Sequence, residues 1–99
     1  MLTVQVAGVS FRPMEVDLAE EGMEISVVPE PENPHDSNAM AVLDALHCLH
    51  FGYVPKNYTD VIKAMLADSG RDTLPGKVVK IVGGENGMNK GLTVRIGLS

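Results

Sequence analysis

The chain has 99 residues, 44 % of them hydrophobic and 21 % charged, with one cysteine and a formal net charge of −5. These values predict a single folded domain, residues 1–99, and exclude a disordered tail, an intramolecular disulfide framework and a four-cysteine zinc module. No apolar run reaches the ~18 residues of a membrane span and the first residues lack the features of a secretory signal, so we expect a soluble, cytoplasmic protein.

Alternating, valine-rich segments predict β-strands along most of the chain. In chain order, the predicted strands are residues 3–9, 23–28, 39–43, 46–54, 77–82 and 92–98. Pro13 cannot lie in a central strand, so Glu15 to Leu18 is predicted as a short edge piece. Pro29 ends the second strand, and the glycine-rich residues 83–91 predict a long hairpin loop between the last two.

Residues 57–67 carry the one good helical pattern. An apolar stripe at helical spacing defines its buried face: Tyr58, Val61, Ile62, Met65 and Leu66. Asn57 and Asp60 fit an N-cap and an acidic third position, and Gly70 fits the end of the helix.

Six short strands and one helix in so short a chain must share one core. We therefore predict a mainly β protein, a small, partly open six-stranded barrel or strongly curved sheet. The helix would close one end or one face of it.

The negative charge is concentrated in the first half of the chain. Residues 1–50 hold nine acids and one base, a net of −8, whereas residues 51–99 hold four acids and seven bases, a net of +3. The overall charge argues against a protein that coats long polyanions, but it hides a basic half.

Residues 29–38, with the sequence PEPENPHDSN, are the most turn-rich stretch of the chain. One interpretation is a rigid loop, in which the prolines fix φ and Asn33, Asp36 and Asn38 hydrogen-bond to nearby backbone. The other is a binding loop, because several directional polar side chains lie within a stiff segment.

The remaining chemistry-bearing residues form no motif. Along a strand Cys48 and His50 would share a face while His47 points away, so too few ligands converge for zinc, and no metal site is predicted. The apolar neighbours of Cys48 predict a buried core thiol. Residues 83–87 are glycine-rich but no Gly-Lys-Ser/Thr follows them, which favours a hairpin loop over a phosphate-binding loop. No nucleophile–base pair is visible, so we expect neither an enzyme nor a cofactor.

Several segments, in order, resemble the HIRAN domain family. They are AGVSFRP, VPEPENPHDSNAMAV and FGYVPK, followed by a short helix and two closing strands, and together they cover about residues 3–98. The Asn-Pro-aromatic-Asp-x-Asn-Ala core of the second segment is the most specific part. Such domains occur at the front of some DNA-repair ATPases and as small bacterial proteins. The resemblance implies an OB-like β-barrel that binds single-stranded DNA at a free 3′ end.

The resemblance also implies roles for residues of the central loop. Asp36 corresponds to a carboxylate that accepts a hydrogen bond from the terminal 3′-hydroxyl. His35 occupies a position that is usually aromatic and helps to hold the last nucleotide, and Asn33 matches a polar residue near it.

Residues outside the loop complete the implied site. Phe11 corresponds to an aromatic that stacks on a base, while Tyr53 and Lys56 fall where the family lines the pocket and meets a backbone phosphate. Ser10 stands where the DNA-binding relatives carry arginine. Arg12 is the candidate substitute, although its side chain should point to the opposite face of an undistorted strand. On sequence alone, core packing also explains Phe11 and Tyr53, and a solvated surface position explains Lys56.

Two functions from different classes follow. The first is a module of DNA repair or processing that binds the 3′ end of single-stranded DNA. Four aromatic residues suit one or two terminal nucleotides at about 1–3 kcal/mol per stacked base. The second is a small protein-interaction or adaptor domain that uses the barrel and the loop 29–38, or the acidic half, against a protein partner. The net charge of −5 and Ser10 favour the second.

Overall fold

The computed structural model describes residues 1–84 and 90–97, and in them six strands form one antiparallel sheet. The strands are β1 Leu2–Gln5, β2 Glu24–Pro29, β3 Met40–Asp44, β4 His50–Tyr53, β5 Leu74–Gly83 and β6 Lys90–Ile96. Two α-helices accompany them, α1 Pro13–Asp17 and α2 Thr59–Ser69, with 3-10 turns at Val9–Phe11 and Lys56–Tyr58. None of the helices in the described ranges is long and apolar enough to cross a membrane.

The sheet curls until its two edges meet. Its strand order is β1-β6-β5-β2-β3-β4, so β1 and β4 are the edges. Ala7, just beyond β1, exchanges two backbone hydrogen bonds with Tyr53 of β4, at 2.8 and 2.9 Å. A Cβ at Gly52 would overlap the carbonyl oxygen of Ala7, so this closure requires glycine there. The predicted fold, an OB-like and partly open β-barrel, is confirmed.

The inward side chains of the sheet and α2 form one hydrophobic core. Its completely buried members include Val27, Val42, Phe51, Ile62, Val94 and Ile96. Ile62 comes from the apolar stripe of α2, and three further members of the stripe, Tyr58, Met65 and Leu66, pack against the core. The predicted burial of Val61 is wrong, because its side chain is 46 % exposed. The barrel is therefore a rigid support for the loops at its ends.

The first strand ends earlier than predicted, and the edge piece at Glu15 to Leu18 is wrong. Gly8 has φ +76°, a left-handed conformation that turns the chain out of β1. A 3-10 turn follows, and Pro13 then occupies the first turn of α1, where its missing N–H costs no hydrogen bond. The segment after the barrel closure is thus helical.

The fourth strand is also shorter than the predicted run of residues 46–54. The Asp44 side chain accepts hydrogen bonds from the backbone N–H groups of Cys48, at 2.7 Å, and Leu49, at 2.8 Å, and so holds residues 45–49 as a loop. His47 has φ +59°, which is incompatible with a strand. Cys48 is exposed, so the prediction of a buried core thiol is wrong.

The third, fifth and sixth predicted strands and the helix correspond to observed elements with shifted ends. β2 ends at Pro29 as predicted, with Pro29 as its last residue, opposite Met40. No side chain caps the start of α2, so the predicted Asn57 and Asp60 cap is wrong; the Thr59 hydroxyl instead donates to the Lys56 carbonyl at 3.0 Å. Gly70, with φ +67°, ends the helix as predicted. The centre of the predicted loop, residues 85–89, lies outside the described residues.

Candidate nucleic-acid interface

The loop between β2 and β3 is held by its own side chains. The Asn33 side-chain oxygen accepts hydrogen bonds from the backbone N–H groups of His35, at 2.9 Å, and Asp36, at 3.1 Å. One Asp36 carboxylate oxygen accepts from the Asn38 N–H at 2.9 Å. The prolines restrict the same segment further. The loop is therefore stiff. Its stiffness fixes the direction of the polar atoms that make no hydrogen bond within the loop.

Asp36 can accept a further hydrogen bond. Its side chain is half-buried, and only one of its carboxylate oxygens accepts a hydrogen bond within residues 1–84 and 90–97. The other oxygen can accept from a ligand donor without loss of the internal bond. His35, beside it, is exposed.

Asn33 also connects the loop to β4. Its amide nitrogen donates to Glu30 at 3.0 Å and lies 3.5 Å from the Tyr53 hydroxyl oxygen. Partial burial, and then the hydrogen bond and negative charge of Glu30, raise the pKa of Tyr53 above its ordinary value. Tyr53 is therefore a neutral hydroxyl at neutral pH.

Arg12 does not lie on the strand that the sequence predicts. It follows the 3-10 turn with φ −135° and ψ 52°, so strand alternation does not apply to it. Its side chain is half-buried and lies 3.6 Å from the Glu15 carboxylate. Its charge also acts on Tyr53, where it opposes the increase in pKa. The turn thus places the charge of Arg12 where it acts on Glu15 and Tyr53, and the strand geometry behind the expected opposite-face orientation does not apply.

Phe11 is 86 % exposed. The 3-10 turn carries its ring outward, so the core-packing interpretation of Phe11 is excluded. Met14, one helical turn later, is 84 % exposed. An exposed aromatic ring held by a short turn is a suitable surface for base stacking.

Three residues of this region were not assigned to the site from the sequence: Glu15, Glu30 and His50. His50 was considered there only as a metal ligand. Glu15 accepts a hydrogen bond from the backbone N–H of His50 at 2.6 Å, and so joins α1 to β4. The His50 ring lies 3.7 Å from a Glu30 oxygen, too far for a hydrogen bond, and packs edge-on against Tyr53 with ring centres 5.0 Å apart. Pro13 at a helix start with an acid two residues later was the available sequence signal for Glu15.

His50 lies among these polar side chains, but its ring nitrogens are not hydrogen-bonded within the described residues. Both nitrogens are buried and have no hydrogen-bond partner among the described residues. Burial is the main cause that lowers the pKa of His50, and the charge of Arg12 adds to it, against the opposing effect of Glu30 and Glu15. His50 is therefore held neutral behind Tyr53.

Lys56 is exposed at the start of the 3-10 turn that precedes α2, and it makes no hydrogen bond or ion pair with the loop in the described part of the chain. The loop end is nevertheless close to this region. The Val54 N–H donates to the Met40 carbonyl at 2.9 Å, and Lys63 of α2 donates to the Asn38 side chain. The structure thus brings a lysine to the loop that the sequence analysis did not select.

The residues that the sequence and the structure together assign to this region are called the loop site: Phe11, Arg12, Asn33, His35, Asp36 and Tyr53. In residues 1–84 and 90–97, no group of three or more His, Cys, Asp and Glu side chains is arranged to hold a metal ion.

Comparison with known proteins agrees with this fold. A sequence model of the HIRAN domain matches residues 1–96. A crystal structure of the HIRAN domain of human HLTF superposes with a TM-score of 0.66 at 19 % sequence identity, covering 96 % of this chain and 73 % of that one. A search of curated proteins found no match.

Proposed function

This chain belongs to the HIRAN domain family, known as DNA-binding modules, and from that premise we propose that it binds single-stranded DNA at a free 3′ end. The setting we propose is DNA repair or processing. The observation that carries the proposal is the second Asp36 oxygen, an acceptor left over on a loop that its own hydrogen bonds hold in place.

The loop site supplies the contacts that a strand end needs. A terminal 3′-hydroxyl donates a hydrogen bond to Asp36, whereas a terminal phosphate meets repulsion from the same carboxylate. The terminal base stacks on Phe11, for about 1–3 kcal/mol, and His35 lies on the exposed side of the loop. Arg12 of the loop site, Lys56 before α2 and Lys63, which donates to Asn38, are the cations that we propose attract the adjoining phosphates.

We propose binding without catalysis or a cofactor. The two acids beside Tyr53 and His50 already have structural partners: Glu15 accepts from the His50 backbone and Glu30 accepts from Asn33. A general acid or base needs a proton partner in the substrate instead. Both carboxylates therefore stabilise the fold, and this role supports binding without catalysis.

The test is fluorescence anisotropy with a four-nucleotide DNA that ends in a 3′-hydroxyl or in a 3′-phosphate. We expect tighter binding of the hydroxyl form. Asp36→Asn keeps an oxygen that can accept from the Asn38 N–H but replaces the free acceptor by an NH₂ donor, so it should abolish the preference without unfolding the loop. Glu32→Ala, which removes an exposed acid of the same loop, is the matched control and should retain the preference. Equal binding of both oligonucleotides by the unsubstituted protein would overturn the proposal.

A second candidate function, a protein-interaction or adaptor domain, has one observation in its favour. Phe11, Met14 and Leu18 follow helical spacing and are 86, 84 and 60 % exposed. Such a row of apolar side chains suits a protein partner as well as a base. Absence of DNA binding at low salt, with the fold intact by circular dichroism, would favour this function.

A further inference from the structure

A groove of about 570 Å³ lies on the outer face of the barrel, over β2, β5 and β6. It reaches the start of β2 and Ala45, just beyond the end of β3, whereas the loop site lies at the opposite end of this hairpin. β2 runs from Glu24, which lines the groove, to Pro29, which precedes the loop, so these two residues are roughly 17 Å apart at about 3.3 Å per residue. We call this region the outer groove.

Three cations line the outer groove: Arg71, Lys77 and Arg95. Lys77 and Arg95 stand directly opposite each other in the β5–β6 pairing, an arrangement that costs stability because the charges repel. None of the three has an ion-pair partner within the described residues. Glu24, opposite Lys77 on β2, is the one acid of the lining. The groove therefore has an unneutralised positive charge.

Uncharged residues of β2 and β5 complete the lining of the outer groove, among them Ser26, Pro75 and Gly76. Gly76 itself faces the core, because a Cβ there would lie 2.8 Å from the side chain of the buried Ile25. At the rim, the Nε of Arg71 donates to the Thr73 carbonyl at 3.3 Å, which orients the guanidinium while its terminal nitrogens make no hydrogen bond within residues 1–84 and 90–97. An oriented guanidinium suits an anion with several oxygens.

We propose that the outer groove binds the phosphodiester backbone of a nucleic acid, as a second contact besides the loop site. The identification of the ligand as a nucleic acid rests on the proposed function. The positive charge of the groove is independent of that function. The groove is much larger than one phosphate, and its cations come from three separate segments, which suits a run of charges.

The test compares a four-nucleotide DNA with a 20-nucleotide DNA, each with a 3′-hydroxyl or a 3′-phosphate, against Lys77→Gln/Arg95→Gln. Both replaced residues are exposed, so the fold should persist. For the 20-nucleotide DNA we expect binding at least about fivefold weaker and a log–log salt slope shallower by about 1.4, since each lost single-strand contact removes about 0.7. Binding of the four-nucleotide DNA should not change. Lys80→Gln, an exposed lysine of β5 outside the groove, is the control, and Glu24→Gln should strengthen binding of the long DNA.

The two proposals fail separately. If the end preference is absent but the double variant still weakens binding of the long DNA with either terminus, the loop site is wrong and the outer groove stands. An unchanged affinity and salt slope for the long DNA would overturn the outer groove. An equal loss for the short and the long DNA would also overturn it, because the effect would then come through the loop site.

Discussion

The two ends of the β2–β3 hairpin differ in whether their polar and charged side chains have partners inside the protein. At the loop site, the side chains of Asn33 and Asp36 hold the loop through internal hydrogen bonds, and one Asp36 oxygen retains an acceptor. In the outer groove, two cations face each other across paired strands with one neighbouring acid, Glu24, and without an ion pair among the described residues. A hydroxyl is recognised by a fixed acceptor, whereas a phosphate chain is attracted by accessible cations. Under the proposed function, an acidic protein holds a DNA end through an acid that contacts the hydroxyl.

The largest effect should come from Gly52→Ala, which separates the barrel edges beside the loop site. The added Cβ overlaps the Ala7 carbonyl, so we expect loss of the two Ala7–Tyr53 hydrogen bonds and about 2–4 kcal/mol of unfolding free energy in urea titration. Gly22→Ala is the control, because a Cβ there meets nothing within 4 Å and only its φ of +85° is unfavourable, for about 1 kcal/mol. Equal losses in the two variants would contradict the closure.

Asn33→Ala should have the next largest effect, because it removes the hydrogen bonds that hold the loop together. The change removes acceptors for two backbone N–H groups and the donor to Glu30. We expect about 1–3 kcal/mol of lost stability and about tenfold weaker binding of the 3′-hydroxyl oligonucleotide. Asn57→Ala, at an exposed position, should change neither quantity. Unchanged DNA affinity in Asn33→Ala would show that loop stiffness does not matter for binding.

Phe11→Ala should weaken DNA binding and leave the fold intact. Loss of one stacked base corresponds to about 1–3 kcal/mol, or roughly 5- to 150-fold in Kd, whereas a side chain that is 86 % exposed contributes little to folding. Met14→Ala, equally exposed but not aromatic, is the comparison by anisotropy and thermal melting. A larger loss in Met14→Ala than in Phe11→Ala would indicate an apolar protein contact in place of base stacking.

The smallest effect concerns pH. Because the pKa of His50 is lowered in the folded state, the unfolded chain binds more protons below its ordinary pKa of 6.5, and stability should fall as pH decreases through that value. His50→Gln should flatten this dependence between pH 7.5 and 5.5 in urea titration. Asn57→Ala, at an exposed position and without a titratable group, is the control and should leave the dependence unchanged. A steeper fall in His50→Gln would contradict the assignment.

The sequence predicted the barrel because its buried strands alternate clearly, and it predicted the loop because prolines and asparagines have strong local preferences. It did not predict α1, since Gly8 and Pro13 are compatible with either a broken strand or a helix start until the barrel closure at Ala7 is known. The loop at residues 45–49 was missed for a similar reason, because one Asp44 side chain overrides an apolar run.

Within the candidate site, the local pattern identified Asn33 and Asp36 as residues of one polar loop, whereas the resemblance to the HIRAN family was needed to add Tyr53. Glu15 and His50 are 35 positions apart, and their contact arises only when α1 lies against β4. The outer groove is equally non-local, because strand register places Lys77 opposite Arg95.

The most direct test of the central claim is the ratio of Kd values for the 3′-phosphate and 3′-hydroxyl forms of a four-nucleotide DNA, measured for the unsubstituted protein and for Asp36→Asn. We predict a ratio of about ten or more for the unsubstituted protein, which corresponds to one charge-assisted hydrogen bond of about 1.4 kcal/mol or more, and a ratio near one for Asp36→Asn. A ratio near one for the unsubstituted protein, or the same large ratio for Asp36→Asn, would contradict it.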